Sequence, residues 1–192
     1  MDLIIASNNK NKVREIKEIL GDKFTLYTMA DKGLNVDIPE TGDTFRDNAL
    51  IKASYVAKAT GAAAIADDSG LCVLSLDGAP GVYSARYAGE EHDDAANRRK
   101  LLETLRDYPD EKDRQAYFAT AIVLYYPSGE YLVAEGKVDG YVLWEETGSF
   151  GFGYDTLFYS YDLGKCFGVA TADEKNSVSH RGRALRKLES ML

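Results

Sequence analysis

The chain has 192 residues, of which 23 are Lys or Arg and 31 are Asp or Glu, and its formal net charge is −8. Its 45% hydrophobic content is typical of a soluble globular protein, and the length fits a single domain, residues 1–192, with two lobes. The acidic balance argues against a nucleic-acid polymer as partner, because polymer binders carry basic surfaces that displace counterions. No apolar stretch approaches the ~20 residues that span a bilayer, so we expect no membrane partner.

The two cysteines, Cys72 and Cys166, are far apart and form no Cys-x-x-Cys pair. This usage favours small core residues in a reducing compartment over a disulfide framework or a zinc site. No charged segment followed by an apolar segment opens the sequence, so we expect no signal peptide. The cytoplasm is therefore the expected location.

The first elements predict a strand, a polar turn and a helix. Residues 3–6 are apolar, residues 7–9 are helix-capping types, and Val13, Ile16 and Leu20 follow at helical spacing. The free N–H groups and dipole of a helix N-terminus favour phosphate. Lys10 and Lys12 lie in the first turn, where positive charge opposes the dipole unless an anion is bound. The alternative is an ordinary capped helix with solvated lysines.

A second strand is predicted at Phe24–Thr28, and a second helix is predicted to end at Gly61. The loop before that helix contains Glu40, and the spacing of Thr44 and Asp47 resembles a capping box. A carboxylate on such a loop is free to turn toward a metal ion. Simple solvation of Glu40 is the alternative.

Asp67 and Asp68 follow the apolar run 62–66 directly. Two adjacent acids at the end of a buried strand are costly to desolvate unless a cation or a proton offsets their charge. Mg²⁺ prefers oxygen ligands and usually shares its shell with a substrate phosphate. The segment therefore indicates metal-assisted chemistry on a phosphorylated small molecule, although Asp-Asp-Ser-Gly is also an ordinary turn between this strand and another at Leu71–Leu76.

The middle of the chain predicts one helix and then extended structure. Asp93 or Asp94 is the expected cap of the helix, and Pro109–Asp113 is the one plausible lobe boundary. Three extended segments are predicted after it: Ala116–Tyr126, its hairpin partner Tyr131–Lys137, and Asp139–Glu145.

Glycines and aromatic residues alternate over residues 148–155, where the backbone would approach a ligand closely and the rings would stack on a planar base. A glycine-rich bend under a core is the alternative. His180 and Arg181 precede the final helix as hydrogen-bond donors. Taken alone, they would be surface or capping residues.

Six segments, in this order, resemble the inosine triphosphate pyrophosphatase family of non-canonical purine nucleoside triphosphate pyrophosphatases. They are Ser7-Asn8-Asn9-Lys10-Asn11-Lys12, Glu40-Thr41-Gly42-Asp43-Thr44-Phe45, Ala66-Asp67-Asp68-Ser69-Gly70-Leu71, Pro80-Gly81-Val82-Tyr83-Ser84-Ala85-Arg86, Gly151-Phe152-Gly153-Tyr154-Asp155, and Glu174-Lys175-Asn176 with Ser179-His180-Arg181-Gly182. The resemblance implies an α/β fold, with a long, mixed, twisted β-sheet flanked by helices and two lobes around a central cleft. It also implies a homodimer.

The implied reaction is hydrolysis of ITP, dITP and XTP to the monophosphate and pyrophosphate, which cleanses the nucleotide pool. Mg²⁺ is the implied cofactor, with Mn²⁺ as the alternative. The implied catalytic residues are Asp68, as proton acceptor, with Lys12 and Asp67, and the implied metal ligands are Glu40 and Asp68. The residues implied to bind substrate are Ser7, Asn8, Asn9, Lys10, Asn11, Lys12, Ser69, Phe152, Gly153, Tyr154, Asp155, Lys175, His180 and Arg181.

The division of labour among Glu40, Asp67 and Asp68 stays open at this point, because a carboxylate bound to a metal is a poor base for the same proton. Two rival functions also remain. One is a pyrophosphatase for pyrimidine or methylated nucleotides on a related fold. The other is a nucleotide-sensing module that binds without turnover.

Overall fold

The computed structural model describes residues 1–89 and 92–192. Within these ranges the chain forms seven strands and five α-helices. The strands are β1 (Asp2–Ile5), β2 (Thr25–Thr28), β3 (Ala64–Val73), β4 (Gln115–Tyr125), β5 (Tyr131–Val142), β6 (Phe158–Ser160) and β7 (Lys165–Cys166). The helices are α1 (Lys10–Leu20), α2 (Phe45–Thr60), α3 (Asp94–Thr104), α4 (Ala172–Val178) and α5 (His180–Glu189). None of these helices is long and apolar enough to cross a membrane.

All seven strands belong to one sheet in the order β2-β1-β3-β4-β5-β6-β7. Strand β1 runs parallel to both β2 and β3, whereas β6 runs antiparallel to both β5 and β7. The sheet is therefore mixed, and the predicted α/β fold with a mixed sheet and flanking helices is confirmed.

The chain forms two compact units. The first comprises Met1–Asp68, Thr120–Gly136 and Arg181–Leu192, and the second comprises Ser69–Ala119 and Lys137–His180. The predicted lobe boundary at Pro109–Asp113 is wrong, because that stretch lies inside the second unit. The chain changes unit within β3, β4 and β5, so these boundaries carry no loop signal in the sequence. The central cleft stays a prediction.

The core of the first unit follows from the alternation of side chains along β1. Leu3 and Ile5 pack in one apolar cluster, whereas Ile4 and Ala6 pack in another. Consecutive residues of a strand point to opposite faces of the sheet. Since both faces are covered, the strand is a continuous apolar run without the polar alternation of a half-exposed strand.

The core of the second unit is built around aromatic rings. The ring centroid of Phe118 lies 4.6 Å from that of Phe158 and 6.1 Å from that of Phe167, and the rings of Phe158 and Phe167 are 5.2 Å apart. All three side chains are buried. Such offset and tilted pairs add to the stabilisation that burial of the rings provides.

Strand β3 is continuous through Asp67, Asp68, Ser69 and Gly70. The alternative of a turn here is wrong, as is the prediction of two separate strands. The acidic pair can remain in a buried strand because cationic side chains of the first unit offset its negative charge and an amide donates a hydrogen bond to it, as described below. The segments predicted at Tyr131–Lys137 and Asp139–Glu145 are likewise one strand, β5, up to Val142.

Gly70 is required by a close approach in the second unit. A methyl group at this position would overlap the carbonyl oxygen of Gly81 and lie 2.6 Å from Oγ of Ser84. That hydroxyl accepts a hydrogen bond from the backbone N–H of Leu71 and donates one to the carbonyl of Gly81. The turn at 81–84 is thus held directly against β3.

We expect Gly70→Ala to lower the free energy of unfolding by about 1–3 kcal/mol, the usual cost of overpacking, in urea titrations followed by circular dichroism. Gly164→Ala is the control, because a methyl group there meets nothing within 4 Å and only its positive φ of 71° is unfavourable. A loss no larger than that of the control would contradict the close approach.

Candidate active site

The first unit gathers charged side chains around the end of its part of β3. Asp67 and Asp68 are 0% and 4% exposed. Four acids, three cations and one amide make up what we call the acid–cation cluster. Its members are Lys12, Glu15, Glu40, Asn48, Lys52, Asp67, Asp68 and Arg181.

Asp67 is held by two cations on one oxygen. Its Oδ2 accepts from Nε and Nη2 of Arg181 at 3.1 and 2.8 Å and lies 3.4 Å from Nζ of Lys12. Its Oδ1 is buried and has no hydrogen-bond partner among the described residues. Burial alone would raise the pKa of Asp67, but the charges of Lys12, Arg181 and Lys52 outweigh it and hold this pKa far below its ordinary value. These charges therefore favour the ionised form of Asp67 at neutral pH.

Arg181 is only 1% exposed, and its Nη1 pairs with the buried carboxylate of Glu15 on α1. Burial would lower the pKa of Arg181, but Asp67 and Glu15 raise it above its ordinary value. An arginine between two buried acids acts within the protein interior. The contact of Arg181 with substrate stays a prediction. Glu15 was missed in the sequence, where it is an ordinary acid on a helix.

Asp68 has a different environment from its neighbour. Its Oδ2 accepts a hydrogen bond from Nδ2 of Asn48 at 3.0 Å, and its Oδ1 lies 3.9 Å from Nζ of Lys52. Burial raises its pKa to about 6, because the lysine charges only partly offset the desolvation. A carboxyl group with this pKa exchanges protons near neutral pH, which suits a general base.

Lys52 bridges the acidic groups. Its Nζ donates to Oε1 of Glu40 at 2.6 Å and to the carbonyl of Asp67 at 2.7 Å. Burial lowers its pKa, but Asp68, Glu40 and Asp67 raise it above its ordinary value, so the ammonium group stays charged.

Sequence reasoning missed Lys52 and its neighbour Asn48. The available signal was their spacing, since the two residues lie one turn apart on α2, on the same face as the buried Ala49 and Ala53. Polar residues that share the period of an apolar helix face are directed inward, and in this protein they converge on β3.

The N-terminus of α1 is an ordinary side-chain cap. Oδ1 of Asn9 accepts from the backbone N–H groups of Asn11 and Lys12, and Asn9 in turn donates its own N–H to Oγ of Ser7. This geometry is that of the capped-helix alternative for two of the amides, and the phosphate contact of residues 7–12 stays a prediction. Lys10 is exposed, whereas burial lowers the pKa of Lys12 despite its neighbour Asp67.

Asn8, also implied in substrate binding, donates from Nδ2 to the carbonyl of Val36 and is exposed. The loop of Ser7, Asn8 and Asn9 is thus fixed by one internal hydrogen bond and by one to Val36.

A divalent cation would find two carboxylates here. No group of three or more His, Cys, Asp and Glu side chains is arranged to hold a metal ion in residues 1–89 and 92–192. Mg²⁺ does not need such a cage, since it usually binds through one or two carboxylates and takes water and substrate phosphate for the rest. Glu40 and Asp68 both face Lys52, and the raised pKa of Asp68 marks a carboxylate short of positive charge. This donor set fits the predicted ion.

The second unit contains the other predicted group. Oδ2 of Asp155 accepts from the backbone N–H of Phe152 at 3.0 Å and from Nζ of Lys175 at 2.6 Å. The same Nζ lies 4.6 Å from the centroid of the Phe152 ring. Lys175 is thus brought against Phe152 and Asp155, although 20 positions separate it from Asp155. Ser69, on the second unit's part of β3, is partly buried.

Tyr154 and His180 are packed inside the second unit. Tyr154 is 5% exposed and donates its hydroxyl to the carbonyl of Ser84, and burial raises its pKa above the ordinary value. The ring of His180 is buried and stacks on Phe118 with centroids 4.9 Å apart. This packing does not support direct stacking of Tyr154 on a substrate base.

We expect Arg181→Met to lower the free energy of unfolding by about 3–5 kcal/mol, because it leaves Asp67 and Glu15 as poorly compensated buried charges. Lys23→Met is the control, since Lys23 pairs with Glu189 at 3.0 Å but is 61% exposed, and such pairs contribute at most about 1 kcal/mol. Urea unfolding measures both. Equal losses would mean that Asp67 does not depend on Arg181.

Comparison with known proteins places this chain in a family. The profile of the Ham1 family matches residues 3–191. The chain is 46% identical over 192 residues to the dITP/XTP pyrophosphatase of Bacillus subtilis strain 168, covering 100% of this chain and 96% of that protein. It is 51% identical to the dITP/XTP pyrophosphatase of Lactiplantibacillus plantarum, covering 97% and 92%.

Its structure superimposes on that of a HAM1 protein from Coxiella burnetii with a TM-score of 0.88 at 39% identity, covering 100% and 98% of the two chains. The family resemblance predicted from the six segments is confirmed. On sequence and fold together, the chain belongs to the Ham1 family.

Proposed function

We propose that the chain hydrolyses the non-canonical purine nucleoside triphosphates ITP, dITP and XTP to the monophosphate and pyrophosphate. The observation that carries this proposal is the buried pair Asp67–Asp68, with its unequal pKa values, beside the ammonium group of Lys52. Relatives at 46% and 51% identity named dITP/XTP pyrophosphatase supply the substrate class.

Asp68 is the proposed general base. A water molecule attacks the α-phosphorus, a new oxygen–phosphorus bond forms, and the bond from this phosphorus to the bridging oxygen breaks. Asp68 accepts the proton of the water, and pyrophosphate leaves. A pKa of about 6 keeps the carboxylate ionised at neutral pH and basic enough to accept that proton.

Asp67 is a positioning residue in this scheme. Its low pKa makes it a poor proton acceptor, but its Oδ2 fixes Lys12 and Arg181. The ammonium group of Lys12 is thereby held beside the acidic residues of β3, where its charge would stabilise the triphosphate. The proposal thus assigns Asp67 and Asp68 separate tasks, which the sequence alone left open.

Glu40 and Asp68 are the proposed ligands of Mg²⁺, with Mn²⁺ as the alternative. When bound there, the ion supplies charge neutralisation of the triphosphate. Lys52 bonds Glu40 and lies near Asp68, so it holds both carboxylates in place and limits their repulsion. The pKa of about 6 is that of Asp68 without an ion, and direct binding of the ion would lower it and weaken Asp68 as a base.

The second unit supplies the proposed base recognition. The ring of Phe152 offers a face for stacking, while the ammonium group of Lys175 offers a donor to the O6 atom of a deaminated purine. A 6-amino group would leave such a donor unpaired, which costs about 1–3 kcal/mol. The homodimer and the cytoplasmic location stay predictions, the latter supported by two free thiols.

Incubation with ITP and Mg²⁺, alongside ATP and GTP, is expected to give IMP and pyrophosphate from ITP alone, resolved by anion-exchange chromatography. Asp68→Asn should lower turnover by at least about 10²-fold, because it removes the general base. Asp43→Asn, an exposed loop carboxylate in the same unit, is the matched control and should retain activity.

Release of IDP and orthophosphate would mean that a different bond is cut. Tight binding of ITP without turnover would favour the sensing module, and a preference for pyrimidine or methylated nucleotides would favour the other rival.

Asp68→Asn should also be more stable than the wild-type protein. The pKa of Asp68 is raised from 3.8 to about 6, so above about pH 7 the folded state carries a charge that the unfolded chain solvates better. In EDTA, Asp68→Asn should therefore gain about 1–3 kcal/mol in free energy of unfolding at that pH. The gain should shrink as the pH falls through 6 and vanish below about 4, where Asp68 of the wild-type protein is protonated in both the folded and the unfolded state. A loss of stability above pH 7 would contradict the buried charge.

A further inference from the structure

We propose that Asp94 and Arg98 of α3 act as positioning residues that set the affinity and selectivity for the purine base. These two side chains, called here the α3 clamp, hold both backbone groups of Gly153. The inference rests on the proposed function, because it concerns the segment assigned to base recognition.

The α3 clamp makes hydrogen bonds to both the N–H and the carbonyl of one residue. Oδ2 of Asp94 accepts from the backbone N–H of Gly153 at 3.0 Å, and Nη1 of Arg98 donates to its carbonyl at 2.9 Å. Asp94 and Arg98 lie one turn apart on α3, so both reach the same segment. Each bond involves a charged side chain and is stronger than a bond between neutral groups.

The clamped residue has no side chain that could fix its orientation. Gly153 has a φ of 60°, and a methyl group there would meet nothing within 4 Å, so no side-chain packing determines its orientation. Glycine has the largest backbone entropy to lose on folding. The turn around it is closed by hydrogen bonds between Phe152 and Asp155, and the bonds from α3 add two direct contacts to the peptide groups of Gly153 itself.

The residues on either side of the 151–155 segment are held by other hydrogen bonds. The N–H groups of Ser149 and Phe150 both donate to the carbonyl of Gly168 at 2.9 Å, and Thr147 pairs with Thr156. With those ends held, the clamp determines where the intervening turn lies. Phe152 precedes Gly153 directly, so any displacement of the glycine moves the ring and its N–H.

Arg98 is itself oriented by a further contact. Its Nε lies 2.6 Å from Oε1 of Glu146, which also accepts the hydroxyl hydrogen of Thr156 at 2.7 Å. The side chain of Arg98 is 20% exposed and that of Glu146 is 47% exposed. This ion pair lies at the surface, so its energetic contribution is small. Its effect is to aim the guanidinium group at Gly153.

The clamp touches no member of the acid–cation cluster. Its loss should therefore weaken nucleotide binding and leave the chemical step intact. For Arg98→Met we expect KM for ITP to rise about five- to tenfold, the loss typical of one charge-assisted hydrogen bond, with kcat within about twofold of the wild-type value. The ratio of kcat/KM for ITP to that for ATP should fall, since a shift of Phe152 also shifts Asp155 and, with it, the Lys175 donor proposed to bind O6.

The test is steady-state kinetics of the full chain with ITP and with ATP, alongside thermal unfolding. Asp94→Ala should reproduce the rise in KM. Asp94→Asn should keep KM near the wild-type value, because its amide oxygen can still accept the N–H of Gly153. Lys100→Met is the matched control on the same helix, since Lys100 donates to the carbonyl of Tyr87 outside the segment, and it should leave KM unchanged.

A merely structural role would give another pattern, in which Tm and kcat fall together while KM and the ITP-to-ATP ratio hold. That pattern, or unchanged KM in both Arg98→Met and Asp94→Ala with an active wild-type enzyme, would overturn the clamp alone. A wild-type enzyme that releases no pyrophosphate from ITP would overturn the proposed function and the clamp with it.

Discussion

The structure depends on the neutralisation of one buried carboxylate. Asp67 lies in the middle of β3 with no exposure to solvent, and burying such a charge without partners would cost several kcal/mol. Arg181 and Lys12 provide the opposite charge, and Glu15 keeps the arginine in place. The strand can then continue unbroken into the second unit's residues, and α1 and α5 are both fixed to it by charge as well as by apolar packing.

The geometry of a strand explains how adjacent acids acquire opposite properties. Neighbouring side chains point to opposite faces of the sheet, so Asp67 and Asp68 meet different partners although they are joined by one peptide bond. One faces a guanidinium and an ammonium group, and the other faces an amide and a more distant ammonium group. Pairs of titratable groups whose environments push their pKa values apart are a recurrent basis for acid–base chemistry.

The sequence predicted the acidic pair, the capped helix after β1 and the strand after residue 115, because each depends on local pattern. It did not reveal that β3 runs through Asp67 and Asp68, since the charges that permit this come from helices far away in the chain. Lys52 and Asn48 were missed because their role arises only when α2 packs on β3. Helix α4 was also missed, although Thr171 and Glu174 form a capping box at its start.

The separation of Asp67 and Arg181 along the chain has a further consequence. The two residues are 114 positions apart, and Arg181 belongs to the segment Arg181–Leu192 of the first unit. A fragment cut before residue 181 would keep Lys12, Asp67 and Asp68, but Lys12 and Lys52 alone would then offset the buried charge of Asp67. The carboxylate of Glu15 would lose its partner in the same cut. Such a fragment should be less stable than the intact first unit and more open to proteolysis, although it would contain the proposed catalytic carboxylate.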